Sequence, residues 1–202
     1  MIYYVIPARQ ESKGMPFKNR RLFSYTKKTI PMAVWENTIL TTDDKEIMGE
    51  GSEFNILERD EKLSGDTAST KYVLLDVIEK FELEKDDIIV MLYLTYPERT
   101  WSDISRGIDF FMAKEARSLL CRKDIKTHPY LCVYENGRQL VKHDLYRRQD
   151  YPKVFEICHF LFIARVDEIK KLNNNLYNEN TIYMDIPDKV DVDTEQDFME
   201  FV

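Results

Sequence analysis

Five cations lie within the thirteen residues from Arg9 to Arg21, namely Arg9, Lys13, Lys18, Arg20 and Arg21, with Glu11 as the only acid among them. The chain as a whole carries a formal charge of -7, so such a cluster needs a reason. Two readings suit it. One is a solvated basic loop. The other is a phosphate cradle: Ser12 offers a hydroxyl, Gly14 lets the backbone approach a ligand, and Pro7 and Pro16 stiffen the path at two points. At the far end, Val190-Asp191-Val192-Asp193-Thr194-Glu195 places two carboxylates on one face of an extended segment, within reach of one hard cation. A helix N-cap with an acidic first turn explains Thr194 and Glu195 but leaves Asp191 and Asp193 unexplained. Cations for phosphates and paired carboxylates for a metal are what a metal-dependent nucleotidyl transfer needs.

The elements that must position these residues read as α/β. Ile2–Ile6 is a short apolar strand emptying into the basic loop, the arrangement by which open α/β sheets hold phosphates. Residues 37–44 read as a second strand ending in Asp43-Asp44, 45–49 as a short helix and 54–57 as a third strand. Residues 22–35 are poorly patterned, with Lys27-Lys28 and Pro31 against a long helix. Val73, Leu74, Val77, Ile78 and Phe81 share one helical face, and Asp66 or Thr67 is the expected N-cap. Residues 88–94 form the most apolar strand, expected at the centre of the sheet. A loop follows it and then a helix aligned by Ile104, Ile108 and Phe111. Further strands are expected at 116–121, 155–163 and 181–184, with helices at 167–172 and the carboxyl end. Asn136-Gly137 between 128–134 and 138–141 is a hairpin signal.

Ile6-Pro7-Ala8-Arg9-Gln10-Glu11-Ser12-Lys13-Gly14-Met15-Pro16-Phe17-Lys18-Asn19 resembles the signature loop of the CMP-sialic acid synthetases, or acylneuraminate cytidylyltransferases. The resemblance implies a three-layer α/β/α nucleotidyltransferase fold of Rossmann-like kind with a mainly parallel sheet. It implies a single domain over 1–202, with a small protruding β element at 124–153 that makes a homodimer. It also implies transfer of CMP from CTP to an acidic 2-keto sugar, with Mg²⁺ as cofactor. Arg9 and Lys18 would be catalytic. Ala8, Ser12, Lys13, Gly14 and Asn19 would contact nucleotide, as would Arg59, Ala68 and Ser69, which stand where the family has an arginine and an Asp-Thr-Ala-Ser run. Asp191 and Asp193 would hold the metal, matching an Ile-Asp-Ile-Asp-Thr-like motif.

The acceptor side departs from the family. Its Leu-Gln-Pro-Thr-Ser-Pro-Leu-Arg loop is matched by Thr95, Pro97 and Arg99, whereas Tyr93, Leu94, Tyr96 and Glu98 differ, and Tyr93 replaces a glutamine that helps bind the sugar. Cys158-His159 stands where relatives have Asn-Gly; neighbouring strand residues face opposite ways, so a joint Cys–His site is not expected. Tyr93, Thr95, Arg99, Cys158 and His159 are therefore candidate acceptor contacts. So are Arg148 and Gln149, in an Arg-Gln…Pro stretch that can equally be a plain hairpin rim. A Kdo-like or non-sugar acceptor, or a degenerate CTP-binding protein without activity, remain alternatives.

Composition sets outer bounds. The 202 residues suit one domain with a proper core, at 44% hydrophobic and 32% charged. No run nears the roughly eighteen apolar residues of a membrane span, and the amino end lacks a signal-peptide pattern. Cys121, Cys132 and Cys158 have no metal-ligand spacing and read as reduced thiols of a cytoplasmic protein. His128 and His143 read as structural or exposed. Negative net charge disfavours nucleic acid as a partner.

Overall fold

A computed structural model describes residues 1–65 and 67–202; Asp66, one of the two expected caps, lies outside them. The apolar runs form a seven-stranded sheet, counted among the described residues, in the order β3-β2-β1-β4-β6-β5-β7. β1 (Ile2–Ala8), β2 (Thr38–Thr42), β3 (Asn55–Glu58) and β4 (Ile88–Met91) run parallel. β6 (Phe155–Arg165) lies antiparallel to β4 and to β5 (Ser118–Asp124), and β7 (Thr181–Asp185) is parallel to β5. The sheet is mainly parallel, as expected. β4 is central and wholly buried, which is why its sequence is continuously apolar.

Alternation along the strands builds two cores. Tyr4, Ile6, Leu40 and Val90 face a layer that includes α1 (Lys18–Thr29), α2 (Lys45–Glu50) and α5 (Trp101–Ala113), with the carboxyl-terminal α7 (Glu195–Phe201) packed at its margin. Val5, Ile39, Ile89 and Met91 face α4 (Thr70–Lys80) and α6 (Val166–Ile169). Helices on both faces make the third layer. Because β1 leads to β2 on one side and β4 lies on the other, strand order reverses between β1 and β4. At that point the carboxyl ends of strands diverge and leave a crevice.

Three expectations change. A helix does form over 18–29: Leu22, Phe23 and Thr26 are buried, Lys27 and Lys28 sit in its last turn, where cations suit the helix dipole, and Pro31 falls outside it, capping a 3₁₀ turn at Met32–Asn37. The cap of α4 is Ser69, whose Oγ accepts from the Lys71 amide at 3.3 Å, rather than Thr67. A one-turn helix, α3 (Glu61–Ser64), precedes it.

The third correction concerns the β element expected at 124–153. Asp124 ends β5, and the arm at 125–154 forms no named strand. Asn136-Gly137 does turn the chain, with φ +79° at Gly137 and a Tyr134 amide to Arg138 carbonyl bond of 2.8 Å. The pairing stops at a single bridge, Val133 to Gln139. Val133, Tyr134 and Leu140 are exposed, and a two-stranded ribbon without a buried face is marginal in water. The arm is instead tied by an aromatic knot in which Tyr130 stacks on His143, with centroids 4.2 Å apart, and Tyr151 meets both rings.

Arg99, expected to touch the acceptor, does something else. Pairing of β5 with β6 jumps from Leu120–Phe162 to Cys121–Cys158, so residues 159–161 bulge. The Arg99 guanidinium donates to the Phe160 carbonyl at 2.7 Å and to the Tyr93 carbonyl at 2.8 Å, and the residue is 2% exposed. It clamps the exit of β4 to the bulge. Burial lowers its pKa to about 10, which still leaves it charged at neutral pH. Among the described residues, no helix is long and apolar enough to cross a membrane.

Arg99→Met should therefore lower the unfolding free energy by roughly 2–5 kcal/mol, because two buried carbonyls lose their donor. Urea titration checks this; unchanged stability would return Arg99 to a ligand-contact role. Cys121 and Cys158 sit opposite one another in the core, with thiols pushed up to about 12 and about 11, chiefly by burial. Cys132 is half-buried. A colorimetric thiol reagent at mildly alkaline pH should modify Cys132 alone in the native protein and all three cysteines after denaturation.

Candidate active site

The loop leaving β1 is held from within. Met15 is fully buried as its plug, the Lys18 amide bonds the Met15 carbonyl at 3.2 Å, and Asn19 Nδ2 donates to the Arg9 carbonyl at 2.7 Å. Phe17 takes a left-handed conformation, with φ +53°, where loop becomes helix. The first turn of α1 contains no acid, so its positive dipole end remains suited to an anion.

The five cations divide by task. Arg9 and Lys18 line a cavity of about 280 Å³ at the crevice between β1 and β4, with Ser12 and Asn19 beside them. Lys13 lines a neighbouring groove on the outer side of the loop, along with Ser12 and Phe17. Arg20 bonds Asp44 at 2.6 Å and Glu46 at 2.5 Å, and Arg21 grips both oxygens of Glu195 at 2.7 and 3.1 Å. Arg20 and Arg21 are thus spent on carboxylates of their own chain, while Arg9 and Lys18 line the cavity.

The carboxyl-terminal segment meets this loop directly. Lys18 Nζ pairs with Asp193 Oδ1 at 2.6 Å, and Arg21 lies 4.0 Å over the ring of Phe198. Gly14 packs so closely that a Cβ there would strike the Asp193 carbonyl oxygen. Only glycine allows that approach. Asp193 is exposed, whereas Asp191 is half-buried and accepts the Tyr96 hydroxyl at 2.9 Å on Oδ2. Asp191 Oδ1 is buried with no hydrogen-bond partner. Burial raises the pKa of this carboxyl, opposed by the Thr95 and Tyr96 hydroxyls beside it. Among the described residues, no group of three or more metal-ligating side chains forms. Two carboxylates, one with a bare oxygen, suit a cation that keeps waters and takes its other oxygens from a phosphate substrate.

The remaining walls come from β3 and β4. Arg59 is buried and donates to the Thr41 carbonyl at 2.9 Å; burial lowers its pKa to about 10, so it stays a cation at the cavity floor. Ala68, Thr70, Tyr93 and Thr95 complete the lining. The Tyr93 hydroxyl lies beside Thr70, burial raises its pKa, and its ring meets His159 at 5.1 Å. Burial holds His159 below its usual range, and nearby Asp191 and Asp193 oppose that shift.

Other expected contacts lie elsewhere. Ala8 is buried at the end of β1, and Ser69 caps α4. Cys158 points into the core opposite Cys121 rather than into the cavity, while His159 takes the opposite face. Arg148 and Gln149 are exposed on the arm; Arg148 lines a separate groove with His128 and Tyr151, and neither joins the cavity of its own chain. Sequence reading missed Thr70 as a wall and Tyr96 as the partner of Asp191. Ninety-five positions separate that pair, and no local pattern announces it.

No protein-family model matches the chain. A CMP-N,N'-diacetyllegionaminic acid synthase from Legionella pneumophila is 26% identical over 218 residues, covering 98% of this chain and 93% of that protein. An N-acylneuraminate cytidylyltransferase from Streptococcus agalactiae serotype III is 23% identical over 215 residues; the match takes in 98% of this chain, which spans 52% of that longer protein. Among solved structures, a CMP:2-keto-3-deoxy-manno-octonic acid synthetase complexed with CTP superposes with a TM-score of 0.70 at 14% identity, covering 99% of this chain and 96% of that one. A 4-diphosphocytidyl-2C-methyl-D-erythritol synthase from Anaerococcus prevotii gives 0.64 at 14% identity, covering 99% and 93%. The expected α/β/α fold is the one these nucleotidyltransferases share, and the expected resemblance to acylneuraminate cytidylyltransferases holds over nearly the full chain.

Proposed function

We propose that the chain is a nucleotidyltransferase that moves CMP from CTP to an acidic 2-keto sugar of the nonulosonic kind and releases pyrophosphate. The observation that carries this reading is the ion pair that joins Lys18, in the wall of the cavity it shares with Arg9, to Asp193 of the carboxyl-terminal acidic segment, in a chain similar throughout to such enzymes. In the reaction, an acceptor hydroxyl oxygen forms a bond to the α-phosphorus of CTP. The bond from that phosphorus to the oxygen bridging to the β-phosphate breaks, pyrophosphate departs with the electron pair, and the hydroxyl proton is released.

Such chemistry is accelerated mainly by positioning and by neutralising charge. Arg9 and Lys18 face the triphosphate and offset charge at the α-phosphate and on the departing pyrophosphate. The positive dipole end of α1 and the Ser12 hydroxyl add to this field, and Arg59 supplies a further fixed cation. Asp191 and Asp193 would hold Mg²⁺, which would supply positive charge to offset that of the phosphates. The ion pair keeps Lys18 and Asp193 aimed at the same point before substrate arrives.

Tyr93 in place of the family's glutamine leaves the particular sugar open, and a Kdo-like acid or a non-sugar acceptor fits the same chemistry. Homodimerisation through the arm belongs to this reading. Exposed Leu131, Val133 and Leu140 supply apolar surface there, and light scattering that shows a monomer would remove it.

Pyrophosphate release should be measured with each of the four ribonucleoside triphosphates against a panel of 2-keto acids. Release with CTP and one class of acid is the expected outcome. CTP that raises the melting temperature without any release would point instead to a degenerate binding protein. Arg9→Ala and Asp193→Ala should each lower the transfer rate by at least about a hundredfold with an unchanged circular dichroism spectrum. Near-normal turnover of either variant removes that residue's role.

A further inference from the structure

The loop that leaves β4 grips the Asp191 segment at three points. The Thr95 carbonyl accepts the Val192 amide at 2.8 Å, Glu98 Oε2 accepts the Val190 amide at 3.2 Å, and the Tyr96 hydroxyl donates to Asp191 Oδ2 at 2.9 Å. Tyr96 is 2% exposed, and its ring meets Phe160 edge-on at 5.4 Å. The Phe160 carbonyl is itself fixed by Arg99, and the Arg99 amide bonds the Tyr96 carbonyl at 3.1 Å. The tyrosine hydroxyl is thus held from behind by a buried clamp and has little freedom to leave its partner.

Tyr96 and Glu98 are two of the positions at which this chain departs from the Leu-Gln-Pro-Thr-Ser-Pro-Leu-Arg pattern. Neither residue lines the cavity beside Arg9, and Glu98 lines a second groove together with Asp191. Both turn to residues 190 and 191. A carboxylate buried for structure alone has both oxygens bonded. Asp191 Oδ2 accepts the Tyr96 hydroxyl, whereas its buried Oδ1 makes no well-formed hydrogen bond, with the Thr95 hydroxyl beside the carboxyl. That asymmetry aims a donor atom.

We propose that Tyr96 is a positioning residue: its hydroxyl fixes Asp191 Oδ2 so that Oδ1 is presented, in one orientation, to a divalent cation. The proposal rests on the CTP reaction above only for the identity of the cation's site. An outer hydrogen bond of this kind orients a ligating carboxylate and removes the cost of ordering it when the cation binds. Phenylalanine at 96 would keep the ring against Phe160 and lose only the hydroxyl.

The test uses Mn²⁺ as an ion visible by electron paramagnetic resonance, titrated into the full chain with and without CTP. Tyr96→Phe should weaken Mn²⁺ binding in the CTP complex by about 10- to 100-fold while the melting temperature stays within a few degrees of wild type. Asp191→Asn should weaken it at least as much. Wild-type Mn²⁺ affinity in Tyr96→Phe would overturn the proposal. So would a fall in melting temperature large enough to account for the lost binding, because Tyr96 would then act through packing. Undiminished binding in Asp191→Asn would remove Asp191 as a ligand and the proposal with it. CTP-dependent pyrophosphate release is measured separately, so that failure remains distinct from failure of the proposed reaction.

Discussion

The site depends on one contact, the seating of the Asp191–Asp193 segment against the loop that leaves β1. Its ion pair between Lys18 and Asp193 is short, yet the Asp193 side chain is 64% exposed, so the pair itself contributes only roughly 0–1 kcal/mol. Burial does more. Val192 is fully buried between the two carboxylates, and removing such a side chain from water is worth about 1.5–3 kcal/mol. Packing joins the two ends of the chain, and the ion pair sets their alignment. Gly14 makes the joint close enough to matter, since any side chain there would push the Asp193 carbonyl away.

From that joint the architecture follows outward. The sheet reverses order between β1 and β4, so the loops after these strands must diverge and leave space between them. Buried arginines then stiffen the two flanks. Arg59 is bonded to the Thr41 carbonyl on the β2 side, and Arg99 to the Tyr93 and Phe160 carbonyls on the β6 side. Each keeps its charge because backbone oxygens replace part of its lost hydration. The consequences differ. Arg59 reaches the cavity and adds to its field, whereas Arg99 spends its terminal nitrogens on the Tyr93 and Phe160 carbonyls and shapes the site from behind.

Much of this was legible in the chain before folding, and physics explains which part. Buried parallel strands need unbroken apolar runs, so β1 and β4 announce themselves, and the loops after them fall at the sheet's ligand-binding edge. The helix at 18–29 was obscured because its lysines and nearby proline read as breakers when they in fact mark its end. The arm misled in the opposite direction. Asn136-Gly137 does specify a turn, but a turn signal says nothing about whether the flanking strands have a face to bury. Arg99 matched a pattern in type and position, yet which way a long side chain folds is decided by carbonyls elsewhere, here Phe160 in the β6 bulge and Tyr93 after β4. The Tyr96–Asp191 bond was hidden for the same reason, since long-range pairs leave no local periodicity.

The acceptor side can be taken one step further. Tyr93 and His159 look like two separate departures in sequence, but their rings touch, so that His159 backs the one ring that lines the cavity. The Tyr93 phenol is kept neutral by burial, and burial likewise works against a charged His159. Neutral rings offer no strong partner to a sugar carboxylate. Cys158 does not change this, being turned into the core, and Arg99 has its terminal nitrogens on backbone carbonyls. In the proposed reaction the acceptor's negative charge would be met by a cation rather than by these two rings, whether from the cavity's own Arg9, Lys18 and Arg59 or from elsewhere. Arg148 is the cation that the family resemblance offers, and it stands on an arm that leaves it exposed and away from its own cavity. Under the proposed function, a second copy that brought its arm across would supply that cation, and the choice of sugar would then be tied to assembly.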